Sequence, residues 1–220
     1  TFHHNGTGSI TMNNDNTYTG GNHLTGGTTI VRSLSNTTQA YGNLGGVTST
    51  GSKFTIENGA VLQNKAAVTN GSTIRIVGNG IIKADATFSQ QAPIGGDTLV
   101  KSGSGSFNMI GNLAVTRAII KGGGMDYTGN NFTKTLELQG NASVSGKGFS
   151  TSPLYIAAGA KATVTTINRA TTKSKLTGSG QVTIYCATEK GSGWYAARTP
   201  LELNMKDFTG TLVAGAPYQA

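Results

Sequence analysis

Charged residues are scarce in this chain: they make up 12% of its 220 residues, against about 25% in an average soluble domain. Hydrophobic residues reach only 36%, where about 45–50% is usual, and proline occurs 4 times. So little proline excludes a proline-rich linker, and the single cysteine, Cys186, excludes an intramolecular disulfide. Stability must therefore come from backbone hydrogen bonds and stacked apolar side chains.

Helical periodicity is also missing, because no stretch repeats apolar residues with the spacing of an amphipathic helix over three turns. Glycine, in contrast, is abundant, with 33 copies, or about twice the usual share. Threonine and the aliphatic residues favour strands, while glycine and asparagine favour tight turns. The composition predicts an all-β protein with many short strands.

Short sequence units recur along the chain at a nearly constant separation. Three pairs of segments align with one another: 54–60 with 154–160, 74–82 with 174–182, and 6–12 with 103–109. Turn residues separate the short alternating strands roughly every 8–12 residues. We therefore predict one domain made of two divergent modules, approximately 1–97 and 98–220.

Direct repeats of short strands favour a coiled chain, in which each strand pairs in parallel with its equivalent about 4.8 Å away in the next turn. We predict a single-stranded right-handed parallel β-helix, or solenoid, of about nine to eleven coils, each of roughly 20–25 residues. The alternative is an antiparallel β-sandwich, which also has short strands and frequent turns. We favour the solenoid because the Asn-Gly pairs at Asn5, Asn58 and Asn70 lie inside direct repeats, not between mirrored strands.

Residues 6–31 carry a specific order of motifs: Gly-x-Gly with alternating apolar residues, an Asn-rich stretch, Tyr-Thr-Gly-Gly, and Gly-Gly-Thr-Thr before two apolar residues. This order resembles the autotransporter-associated β-strand repeat. Segment 99–105 is similar to the other half of that repeat, and segment 178–214 resembles versions in large surface proteins of Bacteroidetes. The resemblance covers about half of the chain.

The resemblance implies a β-helical passenger segment that is carried to the cell exterior, where such segments act as stalks, spacers or adhesins. We therefore expect an extracellular or bacterial cell-surface protein that is not an enzyme. We expect no membrane insertion of this stretch, because no apolar run is long enough for a transmembrane helix.

The formal net charge of +8 favours anionic partners. The 17 Lys and Arg residues are scattered singly, and no basic stripe interleaved with aromatic residues supports nucleic-acid binding. We therefore expect anionic glycans or a host surface as partners and no nucleic acid.

A polysaccharide lyase or glycosidase is the alternative function, because some parallel β-helices carry such activities. A glycosidase needs two carboxylates about 5–10 Å apart, yet none of the 9 acidic residues are adjacent in sequence. The alternative requires acids of successive coils, such as Asp85, Asp97 or Glu189, to converge in a groove.

Histidine is confined to the start of the chain, where one coil of separation would bring His3 or His4 near His23. These histidines are more simply interpreted as exposed polar residues than as ligands of a metal ion. We expect neither a metal ion nor a cofactor.

The segment 189–200 interrupts the rhythm of the repeat, and loops inserted in solenoids often carry binding residues. Aromatic rings beside basic groups suit glycan recognition. The candidate binding residues in this segment are Lys190, Trp194, Tyr195 and Arg198. Trp194 has a second interpretation, as a cap over the open end of the coil, whose backbone is otherwise unpaired.

We predict that Trp194→Ala lowers the melting temperature more than it weakens glycan binding, because the capping role buries the indole. Thermal unfolding and glycan binding, measured on the same preparation, check this. Lost binding with an unchanged melting temperature would show that Trp194 contacts the ligand instead.

Overall fold

The computed structural model describes residues 1–36, 38–46, 53–128, 134–146, 152–166, 172–188, 201–215 and 218–219. Within these ranges the chain forms strands and turns but no helix, so that none of its described segments is a helix able to cross a membrane. The protein is therefore all-β, as its composition predicts.

The strands are short and follow one another closely along the chain. In order they are β1 (Phe2–His4), β2 (Ser9–Thr11), β3 (Asn22–Leu24), β4 (Thr28–Val31), β5 (Tyr41–Gly42), β6 (Gly45–Gly46), β7 (Lys53–Glu57), β8 (Val61–Asn64), β9 (Val68–Asn70), β10 (Thr73–Ala84), β11 (Phe88–Gln90), β12 (Ile94–Ser102), β13 (Phe107–Met109), β14 (Leu113–Ile120), β15 (Gly123–Tyr127), β16 (Thr135–Leu138), β17 (Ala142–Gly146), β18 (Leu154–Ile156), β19 (Lys161–Thr166), β20 (Thr172–Gly178), β21 (Gln181–Thr188), β22 (Leu201–Phe208), β23 (Thr211–Ala214) and β24 (Tyr218–Gln219).

Two parallel sheets contain nearly all of these strands. The first sheet has the order β1-β3-β7-β10-β12-β14-β16-β18-β20-β22, with β2, β4 and β8 paired beside this path. The second has the order β9-β11-β13-β15-β17-β19-β21-β23, with β24 paired to β21. Among the described strands only β5 and β6 pair antiparallel. The protein is thus a parallel β-solenoid, and the antiparallel sandwich is excluded.

The sequence predicts nine to eleven coils. The solenoid has about eight turns, with eight strands stacked in the second sheet and ten in the longer first sheet. In a regular turn, few residues separate two positions that pair. Ile74 pairs with Ile94, for example, and Ile94 pairs with Leu113 one turn later. Two turns are much longer, because Asn22 pairs with Phe54 and Gln181 pairs with Thr211. The chain is therefore longer in these two turns than in the regular ones.

Inward side chains of equivalent strands stack into columns, because the pleat sends alternate residues to the same face in every turn. One column of the second sheet contains Val68, Phe88, Phe107, Met125, Val144, Val164 and Ile184. Every member is buried, and the rings of Phe88 and Phe107 lie 5.6 Å apart between centroids. Burial of each such side chain stabilises the fold by about 1.5–3 kcal/mol.

The strand ladder continues across the predicted module boundary after residue 97, because β12 spans Ile94–Ser102. The division into two modules stays a prediction from the repeat pattern.

Two glycines show where the coil has room for a side chain and where it has none. Gly59 and Gly96 both have positive φ, at 89° and 112°. A Cβ at Gly59 would meet no atom within 4 Å, whereas a Cβ at Gly96 would overlap the carbonyl oxygen of Ile76 in the preceding turn. Of these two positions, Gly96 alone combines the unusual backbone conformation with close contact between turns.

We predict that Gly96→Ala destabilises the protein by about 1–3 kcal/mol more than Gly59→Ala does, because the added methyl group overpacks the contact between turns. Gly59→Ala is the matched control, since it costs only the about 1–2 kcal/mol of a left-handed backbone. Urea denaturation of both variants measures the difference, and equal losses would contradict the predicted clash.

Candidate functional site

Outside the described residues lie the four predicted ligand contacts, Lys190, Trp194, Tyr195 and Arg198. Their segment joins the end of β21 at Thr188 to the start of β22 at Leu201. It belongs to the long turn that separates Gln181 from its partner Thr211. The sequence segment that interrupts the repeat therefore coincides with an insertion in the coil.

The outer face of the second sheet carries a regular polar surface, which we call the β17–β19–β21 grid. Its nine outward side chains are Asn141, Ser143 and Ser145; Lys161, Thr163 and Thr165; and Gln181, Thr183 and Tyr185. The register aligns Ser143, Thr163 and Thr183 in the middle column, and Ser145, Thr165 and Tyr185 in the third column. Lys161 pairs with Gln181 in the first column, and Asn141 directly precedes β17 at the start of the first rung. The grid thus has three rungs and three columns.

The pleat of the strands directs the grid side chains outward, because the residues that alternate with them point into the core. Ala162, Val164 and Val182 are at most 3% exposed. Asn141, Lys161 and Gln181 are exposed, while the six other grid side chains are half-buried. The grid is therefore accessible to a ligand and rests on a packed layer.

Hydrogen bonds within the protein hold the two serines of the first rung. Ser145 donates its hydroxyl to Asp126 at 3.1 Å, and Ser143 donates to the carbonyl oxygen of Gly123 at 3.4 Å. Lys161 has no carboxylate within 4.0 Å among the described residues. The grid therefore presents hydroxyl, amide and ammonium groups to the solvent.

The outer face of the first sheet is charged instead, and its ions are paired between turns. The ion pairs of the described residues are Lys65–Asp85, Arg117–Glu137 and Lys175–Asp207. The hydrogen bond from Lys65 lowers the pKa of the Asp85 carboxyl, and a second bond from Gln63 acts in the same direction. Each of these three pairs joins residues of different turns.

The acids that the enzymatic alternative requires have separate partners. Asp85 follows β10 and binds Lys65 and Gln63, each at 2.6 Å. Asp97 lies within β12 and accepts a hydrogen bond of 2.8 Å from the backbone of Gly78. Glu189 lies outside the described residues.

The histidines come together as the coil spacing predicts, since the rings of His3 and His23 stack with centroids 4.8 Å apart and planes inclined by 6°. Stacked imidazoles direct their nitrogen atoms along parallel planes, not toward one point. His4 is buried, and its Nδ1 lies 2.9 Å from the hydroxyl of Thr29. In the described part of the chain no three His, Cys, Asp or Glu side chains are grouped to hold a metal.

Lys101 is a buried ammonium inside the first sheet's core. It is stacked between Ile82 and Ile120, and its side chain is fully buried. Its Nζ donates to the carbonyl oxygens of Gly103, Gly105 and Gly122 at 3.0, 2.7 and 2.6 Å. These three acceptors match the three N–H groups of an ammonium. Burial lowers its pKa from 10.5 to about 8.

We predict that Lys101 makes stability depend on pH in a known direction. An amine whose pKa is lower when folded costs stability while it is charged, and that cost disappears as the pH rises from 8 toward 10.5. The unfolding free energy of the protein, minus that of Lys101→Met, should rise by roughly 3 kcal/mol over this window.

Urea denaturation at pH 7.5 and 10.5 measures this difference. Tyr18, whose pKa is raised to about 12 by burial, is present in both proteins and cancels in the subtraction. A difference that stays constant or falls with pH would contradict the assignment.

Comparison with models of known protein families, with curated proteins and with solved structures finds no match for this chain.

Proposed function

We propose that this chain is a stretch of an extracellular or bacterial cell-surface β-solenoid that acts as a non-catalytic stalk or spacer with an adhesive flank. One observation carries the proposal: ten strands of the first sheet follow one another without a change of direction. At about 4.8 Å between strands, this ladder extends roughly 45 Å. A long parallel ladder of this kind suits a spacer, which holds other segments of a protein apart.

The resemblance to the autotransporter-associated β-strand repeat supports the cell-surface location. The separate pairing of Asp85 and Asp97 supports a non-catalytic role, because a glycosidase needs two carboxylates directed at one bond. Anionic glycans and host surfaces are the partners that the net charge of +8 favours.

We predict that the protein releases no products from polysaccharides. The assay incubates it with polygalacturonate, alginate and xylan, and follows both new reducing ends and the ultraviolet absorbance of unsaturated uronates. Heat-denatured protein is the control. Product formation by the native protein that Asp85→Asn or Asp97→Asn abolishes would establish an enzyme and overturn the proposal.

A further inference from the structure

We propose that the β17–β19–β21 grid is a binding track for an acidic linear polysaccharide that lies along the axis of the solenoid. The proposal rests on the adhesive flank proposed above and names its site and the chemical class of its ligand. The uronate carboxylate pairs with Lys161, and the sugar hydroxyls exchange hydrogen bonds with the serine and threonine columns.

The spacing of the grid suits a polymer of sugars. Successive rungs are about 4.8 Å apart, close to the length that one pyranose adds to an extended chain. Neighbouring columns are two residues apart along a strand, or about 6.6 Å, which is close to the width of a sugar ring. A chain along the axis therefore meets one rung of the grid at each sugar.

Each column supplies a different part of the recognition. In the middle column the hydroxyls of Thr163 and Thr183 can both donate and accept hydrogen bonds, as sugar hydroxyls do. Ser143 donates its own proton to Gly123 and can therefore only accept. The third column ends at Tyr185, an aromatic side chain of the kind that packs against sugar rings. Gly215 lies close to this ring, since a Cβ at that position would overlap it.

The first column determines the charge of the ligand. Lys161 pairs with Gln181, and no carboxylate of the described residues lies within 4.0 Å of its ammonium group. Three basic groups on the side of the first sheet, Lys65, Arg117 and Lys175, differ from Lys161 because each has an acidic partner. A single unpaired ammonium among hydroxyls and amides can pair with one uronate of a hydroxyl-rich sugar chain, and fits such a chain better than a nucleic acid, whose binding needs many phosphate contacts.

The neighbouring rungs limit the length of the track. Asp126 aligns with Ser145 one turn earlier, where its carboxylate repels a uronate. Val213 aligns with Thr183 one turn later, where an exposed apolar side chain replaces the hydroxyl. The recognised stretch is therefore about three sugars long.

The test measures binding of polygalacturonate by affinity gel electrophoresis and calorimetry, with neutral xylan as the comparison ligand. Lys161→Gln should weaken polygalacturonate binding roughly two- to fivefold, the value of an exposed ion pair, and should reduce its salt dependence. The double variant Thr163→Val, Thr183→Val keeps shape and strand preference but removes two hydroxyls, and should weaken binding at least about fivefold. Melting temperatures verify that both variants fold.

Matched controls lie elsewhere on the solenoid. Lys134→Gln removes an exposed ammonium near β16, and Thr55→Val removes an outward hydroxyl on β7, so both should bind as the unaltered protein does. If binding persists in the grid variants but falls in Lys134→Gln, the track is wrong while the adhesive function stands. If the intact protein binds neither polysaccharide, the track and the adhesive flank both fail, and only the spacer role remains. Equal binding of xylan and polygalacturonate would overturn the assigned ligand class.

Discussion

The hydrogen bond between the backbone of one turn and the backbone of the next is the interaction on which this structure depends. Gln139 donates to Ile120 at 2.8 Å, for example, and Ala157 donates to Leu138 at 3.0 Å, so that three successive turns are joined in one line. Such bonds hold equivalent residues side by side, and the columns of side chains inside and outside the coil follow from this alignment. Since inward columns must pack without gaps, chemical variety is confined to the outer faces and the corners.

The corners impose a second requirement, because carbonyl groups that point inward there need hydrogen-bond donors. Buried polar side chains supply them. Asn70 and Gln90 both donate to the carbonyl oxygen of Ser72, and Asn64 donates to that of Ala66. Lys101 does the same for three glycine carbonyls. Polar residues in this core are therefore a consequence of coiling the backbone and need no ligand to explain them.

The fold was predictable from the sequence because glycine-marked corners and short alternating strands repeat along the chain. The alignment of 54–60 with 154–160 captured a real local similarity, since Gly59 and Gly159 both have positive φ in a turn between strands. The alignment did not give the stacking: Phe54 lies beside Ile74, whereas Leu154 lies beside Leu136 and Leu176, in a different column. The repeated unit is a corner, and the coil uses it at more than one position around the turn.

The candidate site was less predictable, for two physical reasons. The sequence predicts that Lys101 points outward and that its neighbour Val100 points inward. Lys101 points inward instead, because its ammonium group donates hydrogen bonds to the carbonyl oxygens of three glycines. The apolar repeats that predict the strands carry no information about outward residues, so they do not predict the grid. Its signal is nevertheless in the sequence, as N-A-S-V-S at 141–145, K-A-T-V-T at 161–165 and Q-V-T-I-Y at 181–185, which follow one another at a constant interval.

That constant interval has a consequence for how such a protein changes during evolution. Gain or loss of one whole turn leaves every remaining column aligned, whereas gain or loss of one residue within a strand moves its outward side chains into the core. Duplication of a segment such as 161–180 would therefore lengthen the solenoid and extend its outer surface by one rung in the same event. The length of the solenoid and the number of its surface contacts therefore change together. Selection can adjust both by whole turns while the packing of the core stays the same.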